Sequence, residues 1–110
     1  KGYYMSEYII VLCTTNSKDS AKQIAKTLVS GRFAACVNLV DKIDSIYSWK
    51  GEIVEDSEVL MIIKTQKALF ENLKNKIEEI HPYETPEIIS FDISEGSKPY
   101  LDWISENTRF

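Results

Sequence analysis

The 110-residue sequence predicts an α+β fold: a ferredoxin-like split β-α-β sandwich with a long hairpin between its second and third strands and an added C-terminal helix. Three observations carry this. Hydrophobic periodicities of two and of 3.6 residues alternate along the chain in the order β-α-β-β-α-β-α. The two middle strands meet at Trp49-Lys50-Gly51, a tight reversal. The runs Ile9 to Leu12 and Val59 to Ile63 are apolar at every position, which marks strands covered on both faces.

The first strand is Tyr8-Ile9-Ile10-Val11-Leu12-Cys13, short and rich in β-branched residues. From Ser17 to Ser30, Ala21, Ile24, Ala25, Leu28 and Val29 repeat at helical spacing. Asn16 or Ser17 stands ready as N-cap and Gly31 as the stop. The hairpin arms run from Phe33 to Ser48 and from Glu52 to Thr65; at about 3.3 Å per residue each reaches about 45 Å, so part of the hairpin projects past its own domain. A second helix covers Ala68 to Ile80 with Leu69, Phe70, Leu73, Ile77 and Ile80 on one stripe, and His81-Pro82 ends it. In Glu87 to Ile93, Ile89, Phe91 and Ile93 alternate with Ser90 and Asp92, the pattern of a half-buried edge strand. Ser97-Lys98-Pro99 opens the last helix, which carries Tyr100, Leu101, Trp103 and Ile104.

Length and composition point to one domain, residues 7–110, after an N-terminal extension of residues 1–6. Met5 reads as the natural start and Lys1 to Tyr4 as a cloning remnant. The formal net charge of −4 leaves no basic excess for nucleic acid or an anionic membrane, and no stretch is apolar enough to span a bilayer. Cys13 and Cys36 form neither a disulfide framework nor a Cys-rich zinc motif, so a cytoplasmic, reducing location is expected. The helices of a split β-α-β unit cover only one sheet face, and the uncovered apolar face together with the overlong hairpin predicts a homo-oligomer that exchanges strands across its interfaces.

In this topology the first strand runs antiparallel to the third and fourth. Cys13 therefore approaches the segment His81 to Pro86, where the only histidine, Tyr83, Glu84 and Glu87 converge. Thiol, imidazole and carboxylate together offer soft, borderline and hard ligands for copper or zinc. Each residue has a structural alternative: Cys13 as a core thiol, His81 as an exposed helix terminator, Glu84 and Glu87 as a solvated loop face. Cys36 falls at the opposite end of the subunit. Tyr47, Trp49 and Lys50 at the hairpin tip suit an interface or a ligand pocket, and Lys64 is either a solvated strand end or an anion contact. No nucleotide-binding or hydrolase motif occurs. A Cys13–His81 nucleophile pair would lack a third residue to orient the imidazole, so no enzymatic reaction is expected.

The stretches Val11-Leu12-Cys13-Thr14-Thr15, Ala34-Ala35-Cys36-Val37-Asn38, Tyr47-Ser48-Trp49-Lys50-Gly51-Glu52-Ile53, Ile63-Lys64-Thr65 and His81-Pro82-Tyr83-Glu84-Thr85-Pro86-Glu87-Ile88 resemble, in order and spacing, the CutA divalent-cation tolerance family. The resemblance covers Glu7 to Ser105. It implies a PII-like homotrimer with interlocked hairpins and a cleft at each subunit interface. It further implies metal ions as ligands, copper first and zinc next, with no organic cofactor. Cys13, His81 and Glu84 carry over as metal ligands, and Tyr47, Trp49, Lys64 and Tyr83 as residues of the cleft. Some members have a second histidine before His-Pro; here Ile80 stands there, so a two-histidine chelate is absent. The function so implied is divalent-cation binding and tolerance. The alternative is a PII-like signalling or scaffold trimer that binds a small anionic metabolite in its cleft.

Overall fold

The computed structural model describes residues 6–109; the predicted Met5 start and the Lys1 to Tyr4 remnant lie outside them. The elements are β1 (Tyr8–Thr15), α1 (Lys18–Ser30), β2 (Cys36–Trp49), β3 (Glu52–Gln66), α2 (Phe70–Ile80), β4 (Ile89–Asp92) and α3 (Lys98–Glu106). The strands form one antiparallel sheet in the order β2-β3-β1-β4, the ferredoxin-like arrangement. The first strand does run antiparallel to both its neighbours.

Register decides which residues make the core. Ile9 pairs with Thr65, Val11 with Ile63 and Cys13 with Met61, so these side chains share one face. α1 and α2 cover that face with Ala21, Ile24, Leu28, Leu73 and Ile77, all buried. Ser17 caps α1, its Oγ accepting the Ser20 N–H at 3.1 Å. The other face carries Ile10, Leu12, Leu60 and Ile62, only half-buried, with Ile89 and Phe91 opposite Leu12 and Ile10. α3 covers one end of this face: Tyr8 and Ser105 share a 2.7 Å hydroxyl contact, and Gln66 donates to Thr108 Oγ1 at 2.6 Å.

The hairpin reverses at Lys50-Gly51, whose φ values of 51° and 82° match the paired left-handed residues of a tight hairpin turn. Beyond a register shift between Val40 and Ile43, β2 and β3 continue as a two-stranded ribbon, and the chain's longest dimension reaches 46 Å.

Several boundaries differ from the sequence reading; β1, for one, runs on past Cys13 to Thr15. β2 begins at Cys36, because the N–H groups of Phe33 and Ala34 bond back to Leu28 O and belong to the turn that ends α1. Lys67 to Leu69 form a short 3-10 turn, and the α-helix starts at Phe70. β4 is shorter than expected, and its predicted apolar face is not buried: Ile89 is 55% and Phe91 50% exposed, since they lie on the sheet face away from α1 and α2.

Leu73, fully buried at the helix–sheet contact, is the test of this core. Leu73→Ala should lower unfolding stability by about 3 kcal/mol in denaturant titrations at matched protein concentration.

Candidate functional site

The site grows from the point where α2 stops. Pro82 forbids another helical turn, so His81 leaves the helix extended, with φ −76° and ψ 141°, while its own N–H still bonds Ile77 O at 2.8 Å. This swings the imidazole beneath the end of β1, where it is only 9% exposed. Nδ1 accepts the Tyr83 N–H at 3.0 Å, and Nε2 lies 2.8 Å from Thr14 O. The first contact requires an unprotonated Nδ1 and the second a protonated Nε2, so one neutral tautomer satisfies both. Burial lowers the His81 pKa below its ordinary 6.5, against the opposing pull of Thr14 O and Glu58.

Tyr83 continues the chain of contacts. Its ring leans on His81, centroids 4.8 Å apart, and its hydroxyl donates to Glu58 Oε2 at 2.6 Å. Burial and the Glu58 carboxylate together hold the Tyr83 phenol well above its usual range. Glu58 lies on β3 opposite Ile43, where pairing resumes after the register shift, and is only 7% exposed. No ion pair to it occurs among the described residues.

Around this contact runs an open groove of about 830 Å³ between the ribbon and the segment after α2. Tyr47, Trp49 and Tyr83 line it with four carboxylates, Asp56, Glu58, Glu84 and Glu87, and no lysine or arginine. Tyr47 donates its hydroxyl to Asp56. Trp49 is half exposed, with the Lys50 ammonium 5.7 Å from its ring centroid.

The other expected site residues fall outside the groove wall. Cys13 is fully buried on the helix-covered face, and burial, reinforced by Glu87 and Glu58, pushes its thiol up to about 12. It is therefore protonated at neutral pH. His81 adjoins the groove from behind, through Thr14 and Tyr83. Lys64 pairs with Cys36 at the far end of β3 and donates to Asn38, so one chain brings Tyr47, Trp49 and Tyr83 together but not Lys64. Among the described residues no three His, Cys, Asp or Glu side chains converge to hold a metal ion. The donor set fits a cation drawn in by carboxylate charge; a closed coordination shell would require the thiol to lose its proton and His81 to release Tyr83.

Glu58 and Asp56 were missed in the sequence. A signal existed for Glu58: it continues the alternation Leu60, Ile62, Lys64 and so belongs on the uncovered sheet face, where a charge needs a partner.

Fold and site together define a ferredoxin-like protein with an overlong hairpin and an acidic, aromatic-walled groove between that hairpin and the segment after α2. Residues 9–107 match the family described as CutA1 divalent ion tolerance protein. A Thermus thermophilus protein named divalent-cation tolerance protein CutA is 50% identical over 99 residues, covering 90% of this chain and 96% of that protein. The human protein CutA is 45% identical over 107 residues, covering 97% of this chain; the chain spans 60% of the human protein's length. A solved structure of the Thermus thermophilus divalent cation tolerance protein superposes with a TM-score of 0.90 at 48% identity, covering 93% of this chain and 99% of that one. The chain belongs to the CutA1 divalent ion tolerance family. Among the described residues, no helix is long and apolar enough to cross a membrane.

Two outcomes test the chain of contacts from Thr14 through His81 and Tyr83 to Glu58. Folded His81 holds its proton more weakly than the unfolded chain does, so just below pH 6.5 the unfolded state binds more protons. His81's contribution to stability is thus complete above about pH 6.5 and lost as pH falls toward the lowered folded value. Denaturant titrations across that window should show the fall, and His81→Gln should flatten it. Tyr83→Phe removes the only hydrogen bond to the Glu58 carboxylate among the described residues and should cost about 1–2 kcal/mol at pH 7.

Proposed function

We propose that the protein is a cytoplasmic, non-enzymatic homotrimer that binds divalent metal ions in clefts between its subunits and so contributes to divalent-cation tolerance. The carrying observation is the groove's charge: four carboxylates and no basic side chain make it attractive to cations and repellent to anions. The same charge speaks against a small anionic metabolite at this place.

Two features support assembly. The sheet face bearing Ile10, Leu12, Ile62, Ile89 and Phe91 is covered at only one end, and the ribbon leaves Ile46 68% and Ile53 75% exposed. The cleft residues implied by family resemblance also sit at opposite ends of one subunit, so a cleft containing both Trp49 and Lys64 needs two chains. The cytoplasmic assignment rests on two cysteines that are both free.

For the ion, copper comes first and zinc second, following the affinity order of nitrogen and oxygen donors for divalent metals. Glu84 on the groove wall and His81 behind it would supply the donors, with Cys13 joining once metal displaces its proton. Ligands that must shed protons make occupancy fall with pH, and for His81, whose pKa burial lowers, the fall comes below its ordinary 6.5.

Native mass spectrometry with Cu(II), Cu(I) and Zn(II) tests the reading. Expected is a trimer that takes up stoichiometric metal, with uptake lost in Cys13→Ser and His81→Ala. A monomer, or metal bound equally by both variants, would overturn it. A trimer should also melt at a temperature that rises with protein concentration.

A further inference from the structure

α3 has little packing of its own to hold it. Its nine residues are too few for a helix that stands alone in water. Of its apolar side chains only Ile104 is fully buried, and Ile104 lies outside the core cluster beneath α1 and α2. Tyr100 and Trp103 stack on each other, ring centroids 5.5 Å apart, and remain 42% and 39% exposed. Leu101 packs back on Gly96, where an added Cβ would meet its Cδ2 at 3.0 Å, so the helix and the loop before it form one self-contained unit. Side chains of α3 reach the sheet through the Tyr8–Ser105 hydroxyl contact and through Tyr100, which sits beside Cys36.

The residues just after the helix are tied far more firmly. Arg32, in the turn between α1 and β2, donates through Nη2 to both Glu106 O and Thr108 O, each at 2.9 Å. Arg109 returns the contact: its N–H bonds Arg32 O at 3.0 Å, its Nε bonds Gly31 O at 3.0 Å, and its guanidinium lies 4.3 Å from the Phe33 ring centroid. From β3, Gln66 Nε2 donates to Thr108 Oγ1 at 2.6 Å and to Arg109 O at 3.2 Å. Arg32 has φ 63°, a left-handed conformation unfavourable to a residue with a Cβ, so strain sits at the residue that grips this segment.

We propose that α3 is a lid over the far end of the open sheet face, kept shut by the strap of residues 107–109 and its Arg32 clasp rather than by its own packing. Closed, the lid reaches from Cys36 on β2 to Tyr8 on β1. Opened about residues 94–97, which have no regular structure, it takes its Ser97 cap and its Gly96 contact with it and leaves the helix-covered core intact. Opening uncovers Cys36 and, paired with it in register, Lys64. The lid thus sets what the basic end of the open face presents to its surroundings.

Hydrogen exchange read by mass spectrometry on the intact assembled protein tests the lid. Arg32→Gly removes the guanidinium and suits the left-handed turn, so the core should stay folded, as circular dichroism will verify. Peptides from residues 98–106 should then exchange at least about tenfold faster, while peptides from β1 and α2 keep the parent rate. Gln66→Ala loosens the strap from the β3 side and should act in the same direction without touching the α1–β2 turn. Cys36 supplies a second readout, because Cys13 is fully buried: an aromatic disulfide reagent should label Cys36 faster in Arg32→Gly than in the parent, and Cys36→Ser should abolish that labelling. Exchange of residues 98–106 unchanged in both strap variants, acceleration shared equally by β1 and α2, or a Cys36 labelling rate indifferent to the loss of Arg32 would each overturn the proposal.

Discussion

The central pairing of β1 with β3 is the constraint on which everything else depends. It buries Ile9, Val11 and Cys13 beside Val59, Met61 and Ile63 under the two helices. A slip of one residue would send that whole set to the open face and bring Leu60, Ile62 and Lys64 inward, placing an ammonium in the core. The register also fixes where β1 ends. Thr14 O is the acceptor that seats His81, and Glu58 lies on the partner strand just beyond the Thr15–Val59 pair. The groove is therefore a consequence of core packing and needs no separate scaffold.

From that junction two elements leave in different directions. β2 and β3 run on as an unsupported ribbon, and the chain after α2 turns back beneath β1. Three contacts tie them: Thr14 O to His81, His81 to the Tyr83 N–H, and the Tyr83 hydroxyl to Glu58. His81 and Glu58 are buried and Tyr83 partly so, so losing any one contact leaves a polar group poorly compensated. This explains why both imidazole nitrogens are engaged, and why the only histidine acts as a structural pin in the isolated chain whatever it does when metal is present.

Much of the fold was legible because it is written in local periodicity. The helical stripe from Ala21 to Leu28, the Ser17 cap and the Lys50-Gly51 reversal all lie within a few residues of what determines them. The strand ends were less legible: Phe33 and Ala34 have strand-like side chains, but their N–H groups are claimed by Leu28 O. Ile89 and Phe91 alternate as a buried face should, yet what covers such a face is not encoded in the strand. At the site, meeting of the β1 end and the His81 segment followed from topology alone. Glu58 did not, because its partner Tyr83 lies 25 positions away on a segment without regular structure.

Glu58, Leu60, Ile62 and Lys64 form one stripe along the uncovered face of β3, acidic at one end, basic at the other and apolar between. Six residues of strand span about 20 Å, too far for the two charges to satisfy each other within a chain. An arrangement in which like ends meet would face carboxylate with carboxylate. A head-to-tail arrangement instead brings the basic end of one copy toward the acidic end of the next, and repeated by a closing rotation it produces a ring. The apolar middle of the stripe supplies the burial, and the charges supply the direction.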